Sequence, residues 1–185
     1  PRIMELIERQ AGLGPEGRIA IKVNGLTDPD VIDALYQAST AGVAIDLVVR
    51  GVCCLRAGVP GLSETIRVRS VVGRFLEHSR IYRFGGVSGR PLTLLLGSAD
   101  LMERNLDRRI ELLFPVTDPE LQARVLEVLE LVLADDTNAW TLGPDGHWTR
   151  VPCTAGVSAQ QRLQELARDR ARRRREPEKL VVQPA

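Results

Sequence analysis

The chain has 185 residues, 25 Lys and Arg against 24 Asp and Glu, a net charge of +1 and a hydrophobic fraction of 44%. That is one domain's worth of sequence with enough apolar material for a core. Its near-neutral charge excludes a global field that would draw it to nucleic acid, so any anion site must be built locally. No apolar run approaches the ~18 residues of a membrane span and no signal peptide leads the chain, which opens at Pro1 inside a helical pattern, as a fragment cut from something longer does. Cys53, Cys54 and Cys153 are odd in number and lack paired metal-ligand spacing, which fits a reduced, cytoplasmic setting.

Taken in order, Ile3, Met4 and Ile7 place an amphipathic helix over residues 3–10, broken by Gly12, Gly14, Pro15 and Gly17. Arg18 to Val23 alternates as a strand does. Asp28 followed by Pro29 is a helix N-cap with proline at the first helical position, and Val31, Ile32, Leu35 and Ala38 form the buried stripe of a helix ending at Gly42. Val43 to Val49 is almost continuously apolar, as in a strand covered on both faces. The β-α-β order predicts two parallel strands. Arg50 then closes the second strand at its carboxyl end, where open α/β sheets tend to bind ligands, and a Gly-, Pro- and Ser-rich loop spans residues 51–65.

Further strands are predicted over Ile66–Val72, Arg80–Phe84, Pro91–Leu96 and Arg109–Phe114. Thr117-Asp118-Pro119 starts a long helix carrying Leu121, Val125, Leu126, Val128, Leu129 and Val132. Residues 138–142 and 147–151 form a hairpin around Gly143-Pro144-Asp145-Gly146, with Trp140 and Trp148 expected to pack it against the long helix. A final helix over 158–174 ends in Arg172–Arg175, and the last ten residues are expected to fray. This gives a domain over 1–152, followed by a C-terminal helix and basic tail over 153–185.

Three constellations carry chemistry. In Phe75-Leu76-Glu77-His78-Ser79-Arg80-Ile81-Tyr82-Arg83-Phe84 the residues alternate like a strand, so His78 and Arg80 are expected on one side, with Glu77 and Ser79 on the other. Histidine exchanges protons near neutral pH, and a guanidinium fork suits phosphate oxygens. The bland alternative is an ordinary strand histidine. The second constellation runs from Gly97-Ser98-Ala99-Asp100 through Glu103, Arg104, Asn105, Asp107, Arg108 and Arg109 to Glu111, either a solvated, self-paired loop or an anion-binding edge on which Arg104 or Arg109 grips a phosphate. The third is Arg50, either a plain strand end or a phosphate contact held on a rigid element. Adjacent Cys53 and Cys54 read as loop or buried thiols. The Arg172–Arg175 run reads as a solvated helix end, or as a contact for a polyanion or anionic lipid heads.

The joint order of these signals is more specific than any one of them. Leu47-Val48-Val49-Arg50-Gly51-Val52-Cys53, Gly58-Val59-Pro60-Gly61-Leu62-Ser63-Glu64, Ile66-Arg67-Val68, Val72-Gly73-Arg74-Phe75-Leu76-Glu77-His78-Ser79-Arg80 and Gly97-Ser98-Ala99-Asp100 together resemble the C-terminal catalytic domain of the bacterial polyphosphate kinases of the first type. The likeness runs from near the N-terminus to about Pro152. Ala57 and Thr65 stand where the family usually has Pro and Asn.

The resemblance implies an α/β fold, a phospholipase-D-like mixed sheet flanked by helices. It implies a transferase that reversibly moves the terminal phosphate of ATP onto polyphosphate through a phosphohistidine, in a site shared by two such domains. By motif match, His78 is the assisting catalytic histidine, a proton donor or electrostatic stabiliser. Arg50, Arg80 and Arg109 are the nucleotide- or phosphate-binding residues. The phosphorylated histidine and the ligands of the family's Mg2+ are expected in an upstream domain, His147 does not fit the nucleophile's role, and the full-length enzyme is expected to be a homo-oligomer. The partners so implied are ATP or ADP, polyphosphate and the upstream domain, with no nucleic acid and no transmembrane segment, in the cytoplasm with room for peripheral membrane association. Two readings compete: a non-catalytic remnant that binds polyphosphate or nucleotide, and a phospholipase-D-like phosphodiesterase.

Overall fold

The computed structural model describes residues 2–87, 89–106 and 108–175, without the side chains of Arg174 and Arg175. The expected fraying of the last ten residues lies outside these, as does Asp107. The chain begins with α1 (Arg2–Ala11), then β1 (Arg18–Val23), α2 (Pro29–Thr40), β2 (Ala44–Val49), β3 (Ile66–Val71), β4 (Ile81–Gly85) and β5 (Leu92–Gly97). There follow α3 (Glu103–Leu106), β6 (Leu113–Pro115), α4 (Pro119–Ala134), β7 (Ala139–Leu142), β8 (Trp148–Arg150) and α5 (Ala159–Arg175).

The eight strands form one mixed sheet in the order β6-β5-β4-β1-β2-β3-β7-β8. The expected β-α-β unit is present: β1 and β2 are parallel, with Arg18 opposite Ala44 and Val23 opposite Val49. β3 continues the parallel set, whereas β4 runs antiparallel to β1. The carboxyl ends of β1 and β2 and the amino end of β4 therefore meet at one end of the sheet.

Alternation along the central strands sends side chains to two separate cores. Ile19, Ile21, Val23, Ile45, Leu47 and Val49 face α1 and α2, where Leu6, Ile7, Val31 and Leu35 complete the layer. The alternate residues Ala20 and Val48 face α4 and α5, meeting Leu129 and, separately, Val132 with Ala159. Lys22 shares the Ala20 parity and is only 4% exposed. Both long helices start as read: Asp28 accepts from the Val31 amide at 3.0 Å and Asp118 from the Leu121 amide at 2.9 Å, each followed by proline. Such a cap is worth about 0.5–2 kcal/mol.

Four expectations are corrected. The strand predicted over Arg109–Phe114 is short and displaced, because only Leu113, Phe114 and Pro115 find partners, opposite Gly97, Leu96 and Leu95 at the end of β5. Glu103–Leu106 forms one helical turn where a loop was expected. β4 starts at Ile81, so His78 and Arg80 precede the strand. The β7–β8 hairpin extends the sheet through pairing of β7 with β3, and Trp140 and Trp148 are left exposed.

The loop over 51–65 is tightly built. Ser63 Oγ donates to the Arg56 carbonyl at 2.6 Å and accepts from the Val59 amide at 3.0 Å, and Thr65 Oγ1 donates to the Val43 carbonyl at 2.6 Å. Thr65 thus anchors the loop to the start of β2.

Candidate active site

Three chain segments are stitched together beyond the sheet end. The Leu26 amide donates to Val52 O at 2.9 Å, the Thr27 amide to Leu101 O at 2.8 Å, and the Gly51 amide to Asn24 O at 2.8 Å. Gly51 permits this approach, since a Cβ there would lie 2.9 Å from the Asn24 carbonyl oxygen. Tyr82, fully buried in β4, donates its hydroxyl to Ala99 O at 2.6 Å and so fixes the turn before Asp100.

On this bed a continuous hydrogen-bonded chain joins the candidate residues. Arg50 Nε donates to Asn24 Oδ1 at 3.0 Å. The Asn24 amide donates to Asp100 Oδ1 at 2.6 Å. Arg80 grips Asp100 with Nη2 on Oδ2 at 3.0 Å and Nε on Oδ1 at 3.3 Å, and its Nη1 donates to the His78 carbonyl at 3.0 Å. Burial alone would raise the Asp100 carboxyl, but the Arg80 and Asn24 donors together hold it below the usual carboxylate range.

Behind this chain lies a second pair. Lys22 Nζ donates to the Ser79 carbonyl at 3.0 Å and pairs with the Glu77 carboxylate. Burial depresses the Lys22 ammonium, with Arg50 and Arg80 adding to that effect and Glu77 opposing it. Burial likewise works to raise Glu77, but Lys22 and Ser79 donors bring it below its ordinary value. On the outer side Glu111 accepts from the Ser98 hydroxyl, from Asn105 Nδ2 at 2.7 Å, and pairs with Arg109 Nε at 3.5 Å. The Ser98 and Asn105 donors lower its carboxyl.

The cations thus divide into two kinds. Lys22, Arg80 and Arg109 each have a carboxylate: Glu77, Asp100 and Glu111. Arg50 has none among the described residues, and its two terminal nitrogens make no hydrogen bond there. The exposed His78 imidazole also makes no hydrogen bond among the described residues. Arg50, His78 and Arg80 are brought together as one network. Arg109, 62% exposed, joins only at the rim. Arg104, in α3, is exposed.

His147 lies elsewhere. The register of β7 on β3 puts the β7–β8 turn at the opposite end of the sheet, where its Nδ1 is 3.2 Å from Asp145. The carboxylates beside the network are already occupied by N–H and O–H donors. No group of three or more His, Cys, Asp or Glu among the described residues is arranged to hold a metal ion. These residues therefore do not fit an all-protein Mg2+ site, which requires free oxygen ligands.

Sequence reasoning missed Lys22 and Asn24 altogether, and it held Asp100 and Glu111 only as members of the Gly97–Glu111 constellation, without the partners they take. The available signal was Lys22 itself, a charged residue among Ile19, Ala20, Ile21 and Val23 in a central strand, where a buried ammonium needs partners.

The fold is that of the phospholipase-D class. The chain superimposes on a phospholipase D family member, Nuc from Salmonella typhimurium, with TM-score 0.50 and 18% identity, covering 70% of this chain and 84% of that one. More specifically, residues 2–164 match the family described as polyphosphate kinase C-terminal domain 2, and the chain belongs to that family. It is 57% identical over 166 residues to polyphosphate kinase 1 of Chlorobaculum tepidum, spanning 88% of this chain and 24% of that protein. It is 54% identical over 162 residues to polyphosphate kinase of Streptomyces coelicolor, spanning 88% and 21%. The crystal structure of polyphosphate kinase from Porphyromonas gingivalis matches with TM-score 0.85 and 38% identity, over 93% of this chain and 27% of that one. The chain therefore spans about a quarter of the length of these relatives.

Proposed function

We propose that this chain supplies part of the phosphoryl-transfer site of a polyphosphate kinase, acting on ATP or ADP and polyphosphate in a cytoplasmic, homo-oligomeric enzyme. The observation that carries the proposal is Arg50, the cation in the network without a carboxylate partner among the described residues. A guanidinium whose Nε is fixed by Asn24 keeps its terminal N–H groups for phosphate oxygens. Phosphoryl transfer depends chiefly on positioning and charge stabilisation of the moving group, which such a fixed cation provides. His78, exposed to solvent and held by its carbonyl to Arg80 in the same network, is suited to donate a proton to a phosphate oxygen or to stabilise its charge. Arg80 contributes by orienting Asp100 and the His78 backbone, and Arg109 offers a rim contact for a long anionic polymer. Mg2+ would be held by phosphate oxygens and residues outside this chain.

Titration of polyphosphate and of ATP against the wild type, Arg50→Ala and His78→Ala tests this reading. Loss of a charge-assisted contact at Arg50 should weaken binding by about tenfold or more. Unchanged affinity in both variants would overturn the assignment.

A further inference from the structure

The segment between β3 and β4 carries His78, yet among the described residues no main-chain to main-chain hydrogen bond involves residues 73–79. Side chains hold it instead. Gln160, on the first turn of α5, forms a closed pair with Phe75: its Oε1 accepts from the Phe75 amide at 2.9 Å and its Nε2 donates to the Phe75 carbonyl at 2.8 Å. A primary amide here takes the place of a neighbouring strand. Lys22 holds Glu77 and Ser79, and Arg80 holds the His78 carbonyl. Residues 75, 77 and 79 are thus anchored in turn, while Leu76 and His78 between them are exposed. The strand-like alternation of the sequence is real, but its partners are side chains.

Gln160 is itself held firmly. The Ala159 amide donates to Asp135 Oδ2 at 2.7 Å, and Ala159 is fully buried. Gly73 is shaped to this contact: a Cβ there would lie 2.5 Å from Gln160 Oε1, and Gly73 is not among the glycines with positive φ. The glycine provides space for the glutamine rather than an unusual backbone.

We infer that Gln160 is a positioning residue for His78, so that α5 takes part in the site through the Gln160–Phe75 pair. The functional half of this inference rests on the proposed phosphoryl-transfer role. The mechanical half does not.

Hydrogen exchange and ring NMR signals of the 185-residue chain test both halves. Gln160→Ala should speed exchange of the Phe75 amide about tenfold, the worth of one lost hydrogen bond, with β1 and β2 amides unchanged. Gly73→Ala should do the same, and the double variant should exchange no faster than either single one, since both break one contact. Gln160→Glu, which keeps the acceptor and loses the donor, should fall between. On adding polyphosphate, the His78 ring signals should shift in the wild type and shift much less in Gln160→Ala, while affinity, carried by Arg50, changes by less than about threefold. Unchanged Phe75 exchange in Gln160→Ala, additive effects in the double variant, or an undiminished His78 response would each overturn the role of Gln160. A wild-type chain whose His78 ring does not respond to polyphosphate would overturn the proposed function and this role with it.

Discussion

Asp100 accepts from Asn24 and from Arg80, and through them it connects Arg50 to the His78 backbone. Replacing it by asparagine leaves the Arg80 guanidinium without its counter-charge and presents an amide group where donors converge. Orphaning a buried charge costs about 3–5 kcal/mol, and Arg80 retains enough exposure for solvent to recover part of that, so a loss of about 2–3 kcal/mol is expected in urea unfolding. The same variant should weaken polyphosphate binding, because Asn24 is no longer held to orient Arg50. Arg50 and His78 were legible in the sequence because each falls in a motif with its own chemistry. Asp100 was legible only as the last letter of a turn. Its partners come from the residue just after β1 and from the approach to β4, and no local pattern shows which strands will be neighbours.

At the level of elements, the junction of α4 and α5 rests on two consecutive aspartates. Asp136 is buried and accepts from four successive amides, those of Thr154 at 2.8 Å, Ala155 at 2.6 Å, Gly156 at 3.2 Å and Val157 at 2.6 Å. Asp135 accepts from the Thr137, Asn138 and Ala159 amides. The amides of Ala155 and Thr154 lead in lowering the Asp136 carboxyl from its ordinary value to about 2. A carboxyl lowered by folding adds stability that is fully present above its unfolded value and is lost as pH falls through the folded one. Asp136→Asn should therefore lower the urea midpoint at neutral pH, and the gap from wild type should close as pH falls from about 4 to about 2. If the gap instead stayed constant over that range, the carboxylate charge would not be what holds the loop. Residues 153–185 are set apart in the sequence as a C-terminal helix and basic tail, because the likeness to the family runs only to about Pro152. The burial of Ala159 and the reach of Gln160 to Phe75 depend on this aspartate loop, whose amides have no side-chain signature.

At the level of the whole molecule, the proposed function makes the chain one part of a chemical device. A phosphohistidine route needs one histidine to take the phosphoryl group and surrounding groups to stabilise it. His78 stands in the network, whereas His147 sits at the opposite end of the sheet beside Asp145. If His78 is the assisting histidine, the nucleophile must come from outside this chain; the relatives are about four times its length. The isolated chain should then bind polyphosphate through Arg50 yet transfer nothing. Incubated with radiolabelled ATP and polyphosphate, it should yield neither labelled polymer nor acid-labile phosphoprotein, and His78→Ala should leave that blank result unchanged. An acid-labile label on the wild-type chain that disappears in His78→Ala would make His78 the nucleophile and the site complete. Label without that dependence would place the acceptor elsewhere on the chain, and the Arg50–His78 network would lose its claim to the chemistry.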